Sequence, residues 1–301
     1  MRSRDYGMIP NVSERFSEAQ SLEMFEKIAL IRAFELNIKK AFDAKMIKMP
    51  IYLSFGQESV AAALSTVFKG PAIFGQHRCH DLYLAYGGDR KEDIQALIDE
   101  LLHRSSGCAG GMGGSASIHN PRIHMFGHDG LMGTQVAIGT GYVFSDRERK
   151  PGLIVMGDAS AEEDWVMSSM AFAKKNNLPI LFVCMDNNLS ILTEVKVRRY
   201  YRMVDTARAV GMAAEEITDD PWLIMHYAKA FGYILPAFLN IHTVRHLWHS
   251  GTGTDGPPEW DRFAMIREEL TRLGLDTRAK EIEERVKNDV DAMWASEFER
   301  R

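Results

Sequence analysis

The chain has 301 residues, 46% of them hydrophobic, and a formal net charge of −5 at pH 7. That length supports a large buried core, and the acidic balance argues against nucleic-acid binding, which usually requires a basic excess on one face. The three cysteines, Cys79, Cys108 and Cys184, are widely spaced, which argues against a disulfide framework and favours a reducing compartment. No apolar run has the length of a signal peptide or a membrane span, so we expect a soluble cytoplasmic protein that does not enter a membrane.

The first half of the chain predicts three helices and a glycine-rich loop. Ser17 opens a capping box, and the apolar period after it predicts one long helix over residues 22–38. Residues 56–68 and 93–104 predict two further helices. The stretch 107–141 is dense in glycine and predicts a functional loop region.

A strand–helix–strand unit follows. Leu153–Met156 predicts a buried strand, Ala161–Lys175 a helix and Pro179–Met185 a second buried strand. Short joints between these elements indicate a crossover connection, which implies parallel pairing. We therefore predict an α/β fold with a parallel sheet flanked by helices on both faces.

The end of the sequence changes character. Pro257 and Pro258 precede a charged, helical segment with no visible chemistry. We predict an α/β domain with N-terminal helices over residues 1–258, and a helical C-terminal tail over residues 259–301 that packs on it or forms an oligomer contact.

Polar residues follow both strands of the crossover unit, where ligands of parallel sheets bind. Asp158 comes after the first strand and offers a carboxylate oxygen, and Asn188 comes after the second and offers an amide oxygen. The Ser190 carbonyl would supply a third oxygen. Mg²⁺ prefers oxygen ligands and takes the remainder from water and phosphate, so these residues predict a magnesium site.

Small residues beside that site would allow a diphosphate to approach. Gly157, Ala159 and Ser160 leave the backbone accessible, and a helix starting near Ala161 would direct its N-terminal amides at the anion. The alternative is that both polar clusters are ordinary turns.

Several segments resemble one family. GDASAEEDW and LPILFVCMDNN together resemble the thiamine diphosphate signature, which opens with Gly-Asp-Gly and closes with Asn. Further segments resemble successive motifs of the alpha subunits of 2-oxoacid dehydrogenases: SFGQESVAAAL, HRCHDLYLAYGG, GCAGGMGGSASIHN, GHDGLMGTQVAIGTGYVF and VRHLWHSG. The similarity extends from about residue 20 to the C-terminus. It implies a thiamine diphosphate-binding fold.

The resemblance also implies roles for individual residues. Asp158, Asn188 and the Ser190 carbonyl would hold Mg²⁺. Arg78, together with His77, would contact the diphosphate, and Gly157, Ala159 and Ser160 would lie beside it.

Other positions would complete the site. The backbones of Gly130 and Met132 would face the aminopyrimidine ring of the cofactor. His80 and His249 would line the reaction pocket as catalytic groups, because imidazole titrates near neutral pH. The resemblance further implies a beta-type subunit that supplies the activating glutamate, in an α2β2 heterotetramer acting on a 2-oxo acid.

The sequence departs from the family pattern mainly around the substrate. Ala159 replaces a glycine, Met112 a lysine, and Tyr52 a histidine; Ser117 replaces the loop histidine, with His119 two positions on. Two alternatives therefore stay open: a split transketolase-like enzyme that transfers a ketol unit from a sugar, and a catalytically silent scaffold subunit.

A basic run after the second polar cluster has two interpretations. Lys196, Arg198, Arg199 and Arg202 fit a solvated face, the commoner case, or a contact with a phosphorylated substrate or a partner.

Overall fold

A computed structural model describes residues 8–146, 148, 150–247, 253–257 and 259–299. The helices of these residues are α1 (Glu18–Asp43), α2 (Glu58–Val67), α3 (His80–Gly87), α4 (Lys91–Leu101), α5 (Thr134–Ser145), α6 (Asp164–Lys175), α7 (Val195–Arg198), α8 (Met203–Ala209), α9 (Pro221–Phe231), α10 (Arg262–Arg272) and α11 (Asp276–Glu299). The strands are β1 (Ala72–Phe74), β2 (Met125–Phe126), β3 (Gly152–Gly157), β4 (Ile180–Asp186), β5 (Leu189–Ser190), β6 (Thr193–Glu194), β7 (Ala213–Thr218) and β8 (Ala237–His242).

Six strands form one sheet in the order β2-β1-β3-β4-β8-β7, and every neighbouring pair in it is parallel. The predicted parallel α/β sheet is therefore confirmed. Strands β5 and β6 form a separate short antiparallel pair just beyond the end of β4.

Helices cover both faces of the sheet, as predicted. Leu153 and Val155 of β3 belong to a large buried cluster that includes residues of α1, α2 and α9, whereas Ile154 and Met156 belong to a second cluster with α5, α6 and α8. Successive side chains of a strand point to opposite faces, so these two clusters are the two sides of one sheet.

Local signals place the helix starts with mixed accuracy. The capping box is confirmed, since Ser17 accepts from the Gln20 amide while the Gln20 side chain accepts from the Ser17 amide. The helix predicted to begin near Ala161 begins instead at Asp164, because Ser160–Glu162 forms a 3-10 turn. The sheet edge therefore carries this turn, and not the N-terminus of a regular α-helix.

The C-terminal helices pack on the N-terminal one. Trp294 of α11 is fully buried and meets Phe34 of α1 edge-on, with ring centroids 5.7 Å apart. The division into domains at residue 258 stays a prediction, and Pro258 itself lies outside the described residues. Within the described part of the chain, no helix is both long and apolar enough to span a bilayer.

Candidate functional site

The two polar clusters lie at neighbouring strand ends. Gly157 pairs with Met185 in the parallel register of β3 and β4, so Asp158 and Asp186 leave adjacent strands at the same edge of the sheet. On the other side of β4, Asp186 pairs with His242 at the end of β8. Parallel pairing thus assembles this edge from segments far apart in sequence.

Asp158 is a buried carboxylate, 2% exposed, at the centre of this edge. Its Oδ2 forms an ion pair with Nη2 of Arg198. Burial raises the pKa of Asp158 to about 7, and the nearby charge of Asp186 acts in the same direction. A buried carboxylate with a raised pKa binds a cation favourably, because the cation offsets the cost of desolvating the carboxylate charge.

Arg198 ends α7 and Arg199 follows it, and neither lies on a solvated face. Their side chains are 14% and 3% exposed. Arg199 donates to the backbone carbonyl of Asp158 at 2.8 Å and to Glu162 Oε1 at 2.6 Å. The solvated-face interpretation is therefore wrong for these two arginines, although it suits the exposed Lys196.

Asn188 lies on the turn that leaves β4, and Ser190 ends the short strand β5 that follows. Asn188 has a left-handed backbone with φ of 69°, and its amide donates to Asp186 Oδ1 at 2.8 Å. Its carbonyl accepts from the Val195 amide at 3.0 Å, which closes the β5–β6 hairpin beside the sheet edge. Asn188 and Ser190 are both partly buried at the same edge as Asp158.

The donor chemistry of these residues fits a hard divalent cation. Carboxylate, amide and carbonyl oxygens are the ligands that Mg²⁺ takes, and it usually keeps further positions for water and phosphate. The described residues contain no cluster of three or more His, Cys, Asp or Glu side chains able to hold a metal. A metal at Asp158 would therefore depend on the mixed oxygen set and on ligands from outside the chain.

Arg78 provides the chemistry of an anion site. It is 2% exposed; its Nη1 donates to the Leu53 carbonyl, and its Nη2 has no hydrogen-bond partner among the described residues. Burial, together with repulsion from Arg245, lowers the pKa of Arg78 to about 9. A diphosphate would supply the missing counter-charge and acceptors. His77 lies beside Arg78 with its ring edge-on to Tyr52, at a centroid distance of 4.8 Å.

The close approach of two chain segments explains the glycine at the end of β3. A Cβ on Gly157 would lie 2.9 Å from Gln76 Oε1, so this position favours glycine while Gln76 stays in place. Ala159, where the family has glycine, has an ordinary helical backbone with φ of −75°. Its methyl group therefore causes no backbone strain. Gln76 immediately precedes His77, so the contact brings the Arg78 segment to the end of β3.

The loop before α5 reaches the same region. A Cβ on Gly133 would lie 3.0 Å from the Ser160 carbonyl, and Trp165 Nε1 donates to the Met132 carbonyl at 3.2 Å. Gly130 has a φ of 92° and an exposed backbone. The structure thus brings the loop containing Gly130 and Met132 next to the turn after β3.

His80 is buried in the protein interior and does not lie on an open surface. It is fully buried; Nδ1 lies 3.0 Å from Glu35 Oε1 and Nε2 lies 3.0 Å from Ser115 Oγ. Both ring nitrogens are thus engaged, and a catalytic role for His80 stays a prediction. His249, the other predicted catalytic residue, lies outside the described residues. Ser117, at the loop-histidine position, donates to the His128 carbonyl.

Two carboxylates of the site had no role assigned from the sequence, although Asp186 belongs to the polar cluster predicted after the second strand. Asp186 Oδ2 accepts from Asn240 Nδ2 at 3.2 Å, so Asp186 connects β4 to β8 as well as capping the Asn188 turn. Asp255 accepts from Asn187 Nδ2 at 2.8 Å and pairs with Arg245. The position of Asp186 directly after a buried strand was a usable signal, whereas nothing local marks Asp255.

The chain matches the model of a known family. The model of the family described as "Dehydrogenase E1 component" matches residues 26–230, which is more than half of the chain. The chain belongs to the dehydrogenase E1 component family. An E1 component is a thiamine diphosphate-dependent subunit of a 2-oxoacid dehydrogenase, of oxidoreductase type, so the resemblance stated from the sequence motifs is confirmed.

Similar proteins include E1 components from plants and yeast. The chain is 26% identical to the mitochondrial pyruvate dehydrogenase E1 component subunit alpha-1 of Arabidopsis thaliana, an alignment that covers 94% of this chain and 77% of the relative. It is 29% identical to the mitochondrial E1 subunit alpha of Saccharomyces cerevisiae over 61% of this chain and 43% of the relative. The cytoplasmic location expected from the sequence is wrong, since these E1 relatives are mitochondrial. The apolar-run criterion used for that expectation does not detect amphipathic organellar targeting segments.

Solved structures resemble this E1 component in fold. Transketolase from Campylobacter jejuni matches with a TM-score of 0.55 at 12% identity, over 94% of this chain and 49% of that one. Transketolase from Leishmania mexicana matches with a TM-score of 0.54 at 13% identity, over 90% and 48%. The chain therefore spans about half the length of each transketolase, and this likeness shows the fold alone.

Proposed function

We propose that the chain is the alpha subunit of a two-chain enzyme that decarboxylates a 2-oxo acid and holds its thiamine diphosphate through Mg²⁺. The observation that supports this proposal is the parallel pairing of β3 and β4, which brings Asp158 and the turn with Asn188 to the same edge of the sheet. The names of the relatives make pyruvate the first substrate to test.

Each group at the sheet edge has a proposed task. Asp158, Asn188 and the Ser190 carbonyl would hold Mg²⁺, and Arg78 with His77 would bind the diphosphate. When bound, the cofactor supplies a thiazolium ring that accepts the electrons released by decarboxylation. The chain orients the cofactor, and the buried strand ends keep water away from the charged contacts. Gly130 and Met132 would contact the aminopyrimidine through their backbones, and His249 would serve in proton transfer.

A beta-type subunit is proposed to supply the glutamate that activates the cofactor, in an α2β2 assembly. Exposed apolar side chains on α5 and α6 support the proposal that a partner covers this surface. They are Ile138, Phe144, Trp165 and Phe172. They lie near a groove of about 570 Å³ between the two helices. Contiguous exposed apolar groups of this kind are typical of an interface.

The test uses the chain assembled with its beta-type partner in Mg²⁺. We expect Asp158→Ala to lower thiamine diphosphate affinity at least a hundredfold in isothermal titration calorimetry, because the metal loses its charged ligand. Asp289→Ala, which removes an exposed carboxylate on α11 away from the α5–α6 groove, is the matched control. Equal affinity in Asp158→Ala and wild type would refute the metal assignment. Carbon dioxide release should need both chains, so full turnover by the alpha chain alone would contradict the split site.

Ketol transfer from a sugar is the second candidate. The departures at Tyr52 and Ser117 favour it, because both replaced residues belong to the family's substrate region. Incubation with a ketose phosphate and an aldose acceptor separates the candidates. A new ketose without carbon dioxide release would favour transfer, and carbon dioxide release from pyruvate would favour decarboxylation.

A further inference from the structure

Glu100, at the end of α4, organises the glycine-rich loop. It is fully buried, and four backbone amides donate to its carboxylate. Oε2 accepts from Ala109 at 2.7 Å and Gly111 at 2.9 Å. Oε1 accepts from Gly113 at 2.7 Å and Gly114 at 3.1 Å. One carboxylate thus accepts hydrogen bonds from four backbone N–H groups of the loop.

The glycines of this loop are needed for it to wrap around the carboxylate. Gly111 and Gly114 have φ of 76° and 63°, which residues with a side chain rarely adopt. A Cβ on Gly107 would lie 2.6 Å from Glu100 Cα. The conformation of the loop is therefore set by Glu100.

Ser115 directly follows the loop, and its side chain contacts two other segments. Ser115 Oγ accepts from the Tyr52 amide at 2.9 Å and lies 3.0 Å from His80 Nε2. His80 Nδ1 lies 3.0 Å from Glu35 Oε1. The consistent tautomer carries its proton on Nδ1, so Nε2 accepts from the Ser115 hydroxyl. Ser115 therefore ties the loop to two other segments at once.

Both of those segments are linked to the proposed diphosphate ligands, His77 and Arg78. The ring of Tyr52 contacts His77, and the carbonyl of Leu53 accepts from Arg78. His80 follows Arg78 by two positions at the start of α3. A shift of the glycine-rich loop would therefore move the residues that contact the diphosphate.

We propose that Glu100 is a positioning residue for the diphosphate end of the cofactor, acting through Ser115 on Tyr52 and His80. This inference rests on the proposed function, since it presumes that Arg78 binds the diphosphate. The carboxylate is essential because both of its oxygens accept. An amide would place donors opposite two of the four N–H groups.

The experiment compares Glu100→Gln with Glu92→Gln, an exposed glutamate on the same helix, each assembled with the beta-type partner. We expect Glu100→Gln to raise the Kd for thiamine diphosphate in Mg²⁺ about tenfold, while kcat at saturating cofactor stays within twofold. Hydrogen exchange at two or more of the four loop amides should rise at least tenfold. Glu92→Gln should match wild type in all three measurements.

Ser115→Ala provides a second, independent test, because it keeps the loop around Glu100 and cuts the link to Tyr52 and His80. We expect a similar rise in Kd with unchanged loop exchange. The inference is overturned if Glu100→Gln loosens the loop without weakening cofactor binding, or if the loop exchange stays as in wild type. Should Glu100→Gln not fold, unchanged affinity in Ser115→Ala overturns it alone. Failure of the wild-type complex to bind cofactor would instead overturn the proposed function.

Discussion

Asp81 is a buried carboxyl group beside the site, and its ionisation should change the free energy of unfolding with pH. It lies at the start of α3 and is fully buried; Oδ1 accepts from the Leu82 amide at 2.8 Å, while Oδ2 has no hydrogen-bond partner among the described residues. Burial raises its pKa from 3.8 to about 7, and the nearby Glu35 acts in the same direction. Asp81→Asn removes the charge and keeps the shape of the side chain.

The sign of the effect follows from the raised pKa of Asp81. The folded state holds the proton more tightly than the unfolded state, so the stability contributed by protonation is complete below pH 3.8 and is lost as pH rises to about 7. The total loss corresponds to about 4 kcal/mol, of which about 3 kcal/mol falls between pH 5 and pH 8. Asp81→Asn should not show this loss.

Urea unfolding of the chain at pH 5 and pH 8 measures the difference. The free energy of unfolding of wild type should fall between these pH values by about 3 kcal/mol more than that of Asp81→Asn. Asp289→Asn, on the exposed side of α11, is the control for loss of one charge and should follow wild type. Equal pH dependence in Asp81→Asn and wild type would refute the reasoning.

Three further outcomes are expected. Mg²⁺ affinity of the complex, measured by calorimetry, should fall about tenfold from pH 8 to pH 6, because burial raises the pKa of Asp158 to about 7 and protons then compete with the ion; a flat profile would contradict this. Asp219→Ala should destabilise the chain by about 3–5 kcal/mol in urea, because it removes the carboxylate that neutralises the buried Arg262 guanidinium at 2.7 Å; a loss below about 1 kcal/mol would count against it. Trp294→Ala should cost about 3–5 kcal/mol in the same assay by opening a cavity against Phe34, and a variant as stable as wild type would disprove that packing role.

Much of the fold follows from local sequence patterns. Two short apolar runs joined by a helix predict parallel neighbours, and β3 and β4 are such a pair. Once the strands are parallel neighbours, their carboxyl ends must share one edge. For that reason the sequence also predicted that Asp158 and Asn188 lie together.

Local sequence patterns gave wrong predictions for charged side chains whose partners are distant in the sequence. Arg198 and Arg199 have the spacing of a solvated face, yet their partner Asp158 lies about forty positions earlier and is brought near by the sheet. The start of α6 was misplaced for a related reason. Arg199 binds the Asp158 carbonyl and Glu162, the two sides of the 3-10 turn that delays the helix to Asp164.

The sequence alone determined the class of fold, the family and which polar residues follow the ends of β3 and β4. Only the tertiary structure decided that His80 is buried between Glu35 and Ser115, and that Glu100 holds the glycine-rich loop. Periodicity and spacing report on neighbours along the chain. These side-chain partners depend instead on how α1, α3 and α4 pack against the loop between them.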